Sequence, residues 1–276
     1  LFDSTKGRLA EITLEGWIAE LQHAVKGKAP GYSGLRADVY AMMPDAWHVA
    51  AVQMINTIDI LATGITPMAW HVDLVNYIHK GGADATLGNH RPIKLLELMR
   101  KLVLGIVTKR MKRDWLRMGL IDKLNSGFQS GRSTANAILP VRAAIEQTRA
   151  DGDVAAVLYD DLKWAFDCPA RTVIDLALRR LGVPREYCDI LEDIDSRSVQ
   201  SAMLAAGLAM DLHEEGEFRQ LHGTGQGGVE GPILWLAISD IVVQAADTAD
   251  TQPVKLRTNK GWVRIGKRWF VDDSSL

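Results

Sequence analysis

The sequence is poor in cysteine and has no long apolar run. Its two cysteines, Cys168 and Cys188, are too few for a disulfide framework or for a zinc site built from thiolates alone. No stretch approaches the roughly 18–20 consecutive apolar residues that a membrane-spanning helix needs, and no secretory signal opens the chain. These absences argue against a disulfide-rich secreted domain and against a membrane partner. They favour an intracellular protein in a reducing compartment.

A large excess of charge of one sign is also absent, since the formal net charge is −2. That value argues against an obvious nucleic-acid-binding protein, but the average hides an uneven distribution. Residues 80–132 contain 12 Lys and Arg against 4 Asp and Glu, whereas residues 151–250 contain 7 against 19. A basic region can contact phosphates and an acidic region can hold metal ions, although ordinary solvated surface explains each equally well.

The length and composition fit a globular protein. A chain of 276 residues with 47% apolar and 24% charged residues can form one large domain or two lobes. Hydrophobic periodicity predicts helices at 8–26, 45–63, 94–116, 135–149, 171–181 and 232–246. Strands are predicted at 71–79 and 154–159, and a hairpin is predicted from 262–265 and 268–271. This order of elements predicts an α+β fold with a mainly helical N-terminal half.

The predicted helix at 94–116 carries much of the basic charge. Its apolar positions define one inward face at helical spacing. Six basic residues lie on the predicted outward face: Arg100, Lys101, Lys109, Arg110, Lys112 and Arg113. We therefore expect this helix to present a basic, solvated surface.

Two aspartate pairs suggest metal chemistry. Asp272 and Asp273 follow a β-branched and aromatic run, and Asp160 and Asp161 end the predicted strand at 154–159. Because side chains alternate faces along a strand, only one of Asp160 and Asp161 can face a site shared with Asp272. Clustered carboxylates repel and would otherwise take up protons. Two Mg²⁺ ions about 3.5–4 Å apart would neutralise them and support in-line phosphoryl transfer. The alternative is that these are separate strand-end and turn aspartates that form no metal site.

Six segments of the chain form an ordered series of motifs. They are residues 27–34, 80–81 with 89–93, 127–134, 161–167, 226–227 with 231–232, and 270–273. In sequence and order they resemble the motifs of the reverse transcriptase domain of non-LTR retrotransposons and group II introns. The resemblance covers nearly the whole chain, and six motifs in the family's order are hard to produce by chance.

The resemblance implies a right-hand polymerase architecture. Residues 1–152 would form an N-terminal extension and the fingers, and residues 153–276 would form a palm with an antiparallel sheet. The family continues beyond the Asp-Asp motif with a primer-gripping element and a helical thumb, which the sequence does not contain. We therefore expect the thumb to be absent, the palm to be incomplete at its C-terminus, and the chain to be a fragment that polymerises weakly or not at all by itself.

The resemblance also implies an activity, RNA-directed DNA polymerisation from an RNA template, a DNA primer and dNTP. Catalysis and the binding of two Mg²⁺ ions, with Mn²⁺ as a substitute, would fall to three aspartates: Asp161, Asp272 and Asp273. Nucleotide binding would fall to five residues: Lys80, Arg91, Phe166, Gln226 and Gly227. Phe166 would lie under the incoming sugar, where its ring would clash with a 2′-hydroxyl. A nuclear location follows only from the family's life cycle.

The sequence departs from the family's pattern at four positions. Ser33 replaces a usual Asp, Asn125 a usual Gln, Gln129 a common Arg, and Gly231 a usual Ser. None of these removes a predicted metal ligand. Three alternatives stay open: a catalytically inactive nucleic-acid-binding remnant, another palm polymerase such as an RNA-directed RNA polymerase, and an unrelated α+β scaffold. Phe166 argues against the polymerase that uses ribonucleotides.

Overall fold

The computed structural model describes most of the 276-residue chain. The description excludes residues 1, 4–7, 25–26, 58–62, 83–88, 155–156, 158, 163–164, 167, 205–206, 209–222, 224–226, 250–253, 260, 266–267, 271–272 and 276. At 159–161, 268–270 and 273–275 it gives the path of the backbone. The elements form a mixed α and β fold, as the sequence predicts.

Eight α-helices lie in the described part of the chain. They are α1 (Leu14–His23), α2 (Ala37–Ala41), α3 (Asp45–Thr57), α4 (Leu98–Met118), α5 (Thr134–Ala150), α6 (Arg171–Arg180), α7 (Arg185–Ser196) and α8 (Gly231–Ala249), with a 3-10 turn at Met68–His71. Local chemistry fixes several of their ends. The Gly16 N–H donates to Thr13 Oγ1 at 3.1 Å and caps α1. Gly119, at φ 66°, takes the left-handed conformation that ends α4.

The described strands are between two and eight residues long. They are β1 (Phe2–Asp3), β2 (Arg8–Leu9), β3 (Val72–His79), β4 (His90–Leu95), β5 (Tyr159–Asp161), β6 (Val199–Leu204), β7 (Gly207–Leu208), β8 (Val254–Thr258), β9 (Gly261–Ile265), β10 (Arg268–Phe270) and β11 (Asp273–Ser275). The sheets have the orders β4-β3-β6-β7, β10-β11-β5, β1-β2 and β8-β9.

The four-stranded sheet is built around β3. This strand pairs antiparallel with β4 and parallel with β6. Its first half is largely buried and its second half is exposed, so the β3–β4 hairpin extends outward from the body of the protein. Because β3 and β6 lie on opposite sides of the predicted boundary at 152/153, the predicted fingers and palm segments share this sheet.

One hydrophobic core joins the helices of both halves of the chain. Helix α4 lies inside it, with Leu102–Met111 largely buried, and packs against α1. Two large side chains at this core also satisfy their polar atoms. Trp17 Nε1 donates to His48 Nδ1 at 3.1 Å, and Trp115 Nε1 donates to the Leu181 carbonyl at 3.1 Å. Such residues contribute about 1.5–3 kcal/mol each through apolar burial.

The helix predicted at 94–116 differs from α4 in two respects. Lys94 and Leu95 belong to β4, so the helix begins at Leu98. Arg100, predicted to face outward, is only 4% exposed. The prediction assumed that one face of the helix is exposed to solvent, but protein surrounds α4 at the position of Arg100.

The strand predictions also need correction. Where the structure describes these two segments, at 262–265 and 268–270, they do not pair with each other. Instead β9 pairs with β8, and β10 pairs with β11. Of the strand predicted at 154–159, Val154 and Val157 are described outside any strand, and only Tyr159 belongs to β5. Val154 is 98% exposed rather than buried. Residues 8–9, predicted as helix, form β2.

The described residues include both cysteines and the helices given above. Cys168 and Cys188 are both free thiols. Burial, followed by the nearby Asp175 carboxylate, raises the pKa of the Cys188 thiol to about 12, so this thiol is poorly reactive. None of the described helices has the length and apolar character to span a membrane.

Candidate active site

The site begins with two strands that carry aspartates. Strand β5 ends at Asp161, and β11 begins at Asp273. The two strands pair antiparallel, and the register places Asp273 opposite Asp161 and Ser274 opposite Asp160. Residues directly opposite in an antiparallel pair share a face of the sheet. Positions 161 and 273 therefore share one face, and positions 160 and 274 share the other.

This register brings together two of the three predicted catalytic aspartates. The third, Asp272, lies outside the described residues. Like charges directly opposite each other destabilise a strand pair, and a bound cation would remove that cost. Carboxylate oxygens are also the ligands that Mg²⁺ prefers, so the donor set fits the predicted metal. Elsewhere in the described part of the chain, His, Cys, Asp and Glu form no group of three that could hold a metal ion.

Phe166 lies in a turn that follows β5 and joins an aromatic cluster. Its ring centroid is 6.1 Å from that of Phe128, nearly perpendicular to it, and 5.7 Å from that of Trp235. Phe166 is half-buried at the edge of the core. Three separate motif segments, at 127–134, at 161–167 and at the start of α8, therefore meet through these rings.

The loop before α5 has an unusual backbone. Phe128 has φ 51°, and among the described residues other than glycine it alone has a positive φ. That conformation costs a bulky L-residue about 1–2 kcal/mol, so its surroundings must hold it in place. Asn125 does so from the interior. Its side chain donates to Ser239 Oγ at 3.0 Å and accepts from the Gly127 N–H at 3.2 Å.

Asn125 shows what the sequence reasoning missed. In the sequence Asn125 is only a departure from a usual Gln, but in the structure it is fully buried and connects the loop to α8 through a hydrogen bond. A second link is close by, because buried Asp240 accepts from the Asp122 N–H and from Arg180. Asn125 lies 114 residues from Ser239 along the chain, so no local pattern could have indicated this contact.

Lys80 and Arg91 lie on the β3–β4 hairpin. Lys80 directly follows β3, and its N–H donates to the Asn89 carbonyl at 2.7 Å. Arg91 lies on β4 opposite Ile78. Since positions 78 and 80 share a face, the two cations also share one face of the hairpin. Both are exposed, as residues that bind a charged ligand would need to be.

The glycine-rich loop before α8 packs against the same hairpin. Gly227 has φ 117°, and a Cβ on it would overlap the Lys94 carbonyl oxygen of β4. Glycine is therefore required there both for its backbone conformation and for its close contact. The other predicted nucleotide-binding residue of this loop, Gln226, lies outside the described residues. Gly223 anchors the loop further by donating to the Pro169 carbonyl at 2.7 Å.

A pair of glycine substitutions separates these two requirements. Gly227→Ala and Gly81→Ala both introduce backbone strain, because Gly81 has φ 109°, but a Cβ at Gly81 meets nothing within 4 Å. We expect Gly227→Ala to lower the free energy of unfolding by about 1–3 kcal/mol more than Gly81→Ala, the usual cost of overpacking. Urea unfolding of both variants measures the difference. Equal losses would show that β4 yields to the added methyl group.

A buried ion network holds the hairpin, α4 and the loop together. Arg100 donates to Asp73 at 3.0 Å, to Glu230 at 3.0 Å and to the Trp70 carbonyl at 2.9 Å. Lys94 Nζ also contacts Asp73, at 2.8 Å. Burial opposes the charge on Arg100, but the carboxylates of Glu230 and Asp73 outweigh it and raise the pKa of the guanidinium. Glu230 directly precedes α8, so this network fixes the end of the glycine-rich loop.

A basic cavity of about 540 Å³ lies between α1, the loop at 27–36, β4 and α4. Its lining includes the Glu20 carboxylate and five cationic side chains: Lys28, Arg36, Lys94, Lys101 and Lys109. Three of these cations form ion pairs, Arg36 with Asp38, Lys94 with Asp73 and Lys109 with Glu20. Burial, followed by repulsion from Lys28, lowers the pKa of Lys101. An anion in this cavity would relieve that repulsion, so the cavity is suited to phosphate groups.

The loop at 27–34 packs against Glu97 beside this cavity. A Cβ on Gly31 would lie 2.6 Å from the Glu97 nitrogen, so only glycine allows this contact. Ser33 Oγ donates to the Glu97 carboxylate at 2.7 Å, and the Ser33 N–H donates at 2.5 Å. Ser33, a departure from the family's usual Asp, thus has a structural role here.

Comparison with known proteins leaves the family open. No protein-family model matches the chain, and no curated protein matches it. Among solved structures, the chain is similar to the crystal structure of the RNA-dependent RNA polymerase of a human picorbirnavirus, with a TM-score of 0.45 and 13% sequence identity. The alignment covers 99% of this chain and 51% of that polymerase, so this chain spans about half of its length.

Proposed function

We propose that this chain is part of an RNA-directed DNA polymerase, which transfers a nucleotide from dNTP to the 3′-hydroxyl of a DNA primer paired with an RNA template. The observation that carries the proposal is the register of β5 and β11, which sets Asp161 opposite Asp273. The sequence resemblance assigns catalysis to these two positions together with Asp272, which lies outside the described residues.

The three aspartates would act as ligands for the metal. Asp161 and Asp272 would be ligands of the two Mg²⁺ ions, and Asp273 would complete the carboxylate set. When bound, two such ions lower the pKa of the primer hydroxyl and stabilise the departing pyrophosphate. The protein's own contribution is to keep the carboxylates in place on a paired backbone before the substrate arrives.

The nucleotide would bind between the hairpin and the palm strands. Lys80 and Arg91 share a face of the hairpin and supply a point charge and a planar fork for the triphosphate. The close packing of Gly227 on β4 lets the loop backbone approach the same region. The basic cavity beside α4 would bind the backbone of the template or primer.

Primer extension with matched nucleotides tests the proposal. The 276-residue chain is incubated with an RNA template, an annealed DNA primer and Mg²⁺, and single-nucleotide addition from dNTP and rNTP is followed over long times to detect weak activity. We expect addition of dNTP in clear excess over rNTP. Preference for rNTP would instead identify an RNA-directed RNA polymerase.

The ring of Phe166 should set this preference. We expect Phe166→Ala to raise the relative use of rNTP on the order of tenfold or more, since the clash with the 2′-hydroxyl is removed. Phe128→Ala is the matched control, because it removes the facing ring and the shared packing but not the ring proposed to lie under the sugar. If both variants change the preference equally, the effect comes from packing and the role assigned to Phe166 is wrong.

The basic cavity favours one alternative, a nucleic-acid-binding protein without catalysis. Its cationic residues, foremost Lys28 and Lys101, would serve binding whether or not the aspartates hold metal. Salt-sensitive binding of the template–primer duplex without any nucleotide addition, by this chain or by a longer polypeptide that contains it, would favour this alternative.

A further inference from the structure

Two histidines face each other on the β3–β4 hairpin. His79 ends β3 and His90 begins β4, and the register makes them direct cross-strand partners. Their ring centroids are 5.1 Å apart, with the ring planes inclined at 45°. Neither histidine is among the five residues proposed to bind the nucleotide.

The backbone brings these two side chains as close as a sheet allows. The Lys80 N–H donates to the Asn89 carbonyl, so positions 80 and 89 form a hydrogen-bonded pair. Hydrogen-bonded and non-hydrogen-bonded pairs alternate along an antiparallel ladder, so positions 79 and 90 form a non-hydrogen-bonded pair. In such pairs the Cα atoms are about 4.5 Å apart and the side chains are closest.

The spacing of the rings matches a chelate. A tetrahedral ion bound at ~2.0–2.1 Å to one nitrogen of each imidazole holds the ring centres about 5 Å apart. Imidazole is the common ligand for zinc-class transition metals, whereas Mg²⁺ prefers oxygen. The hairpin therefore offers a site that differs chemically from the aspartates of the palm strands.

We propose that His79 and His90 bind a divalent transition-metal ion of the zinc class, with water completing the coordination. The ion would connect β3 to β4 at the outer part of the hairpin, where the described residues of β3 are exposed. Lys80 and Arg91 each follow one of these histidines, on the opposite face of the hairpin. If the proposed polymerase function holds, the metal would also fix the strand positions of these two cations, and only this consequence depends on that function.

Calorimetric titration with Zn²⁺ tests the site directly. The untagged 276-residue chain is titrated in excess Mg²⁺, which occupies oxygen sites, and is compared with His79→Ala, His90→Ala and the double variant. We expect each single substitution to weaken the hairpin's Zn²⁺ affinity about tenfold or more, with little further loss in the double variant, because a chelate needs both ligands. His23→Ala, which removes an exposed imidazole on α1, should leave that affinity unchanged.

X-ray absorption of the bound zinc gives a second, structural readout. Two imidazole ligands in the parent chain, and one in each single variant, are the expected result. The proposal is overturned if both single variants bind Zn²⁺ as tightly as the parent, or if the spectrum shows only oxygen ligands. Both histidines lie at solvent-accessible positions, so far-UV circular dichroism should confirm an unchanged fold.

Discussion

Replacing Asp161 with asparagine should abolish metal-dependent nucleotide addition, whereas replacing the adjacent Asp160 should not. The register places position 161 opposite Asp273 on one face of the palm strands, and position 160 opposite Ser274 on the other face. In a longer, active polypeptide that contains this chain, loss of a metal ligand should lower the extension rate on the order of 10³-fold. Asp160→Asn removes the same charge one residue away and should stay within about threefold of the parent chain.

Binding of Mn²⁺, followed by electron paramagnetic resonance, gives a readout that does not need rapid extension. Asp161→Asn and Asp273→Asn should both weaken Mn²⁺ binding, and Asp160→Asn and Ser274→Ala should not. In metal-free buffer, Asp161→Asn should leave stability unchanged or raise it by about 0.2–1 kcal/mol, because it removes repulsion across the strand pair. If Asp160→Asn instead abolishes activity, the assignment of position 161 to the metal-binding face is wrong.

The positions of these aspartates could be predicted in part from the sequence. A strand ending in carboxylates and an aromatic run followed by Asp272 and Asp273 are local patterns, and the described backbone contains both β5 and β11. The pairing partner of each C-terminal strand could not be predicted from the local sequence. A glycine, Gly266, lies between the segments 262–265 and 268–271 and is typical of a hairpin turn. Strand propensity does not specify which strand is the partner, however, and β9 pairs with β8 instead.

Helix boundaries were predictable where the chain itself supplies the signal. The helix predicted at 171–181 corresponds to α6, since Gly182 and Pro184 mark its end in the sequence. The glycine-rich loop likewise leads into α8. These signals act over a few residues. Long-range contacts, such as the one between Asn125 and α8, depend on packing that no window of the sequence contains.

The largest error of interpretation concerned Arg100. Periodicity assumes that a helix has one apolar and one solvated face, so a cation on the polar side is predicted to be exposed. Here the polar side of α4 meets two acidic residues that lie 27 and 130 residues away in sequence, Asp73 and Glu230. Their charges compensate the burial of Arg100, and an isolated sequence pattern cannot reveal such compensation.

Replacing Arg100 with methionine should therefore produce the largest loss of stability of any substitution considered. Methionine fills much of the same volume but leaves the Glu230 carboxylate buried without its ionic partner, while Asp73 keeps Lys94 and Ser198. Breaking one side of a buried ion pair typically costs about 3–5 kcal/mol. Urea unfolding measures this cost. Arg142→Met on α5 is the control, because the side chains of Arg142 and its partner Glu146 are 71% and 60% exposed, and such a surface ion pair is worth no more than about 1 kcal/mol.

A second substitution distinguishes the uncompensated charge from lost packing. Glu230→Gln should destabilise the parent chain, because it weakens the contact with Arg100, but it should stabilise the Arg100→Met variant, because it removes the buried charge. That change of sign is not expected from packing alone. If Glu230→Gln destabilises both chains equally, the network is not held by charge. Because Glu230 precedes α8 directly, intact pairing with Arg100 is also what holds the glycine-rich loop against β4.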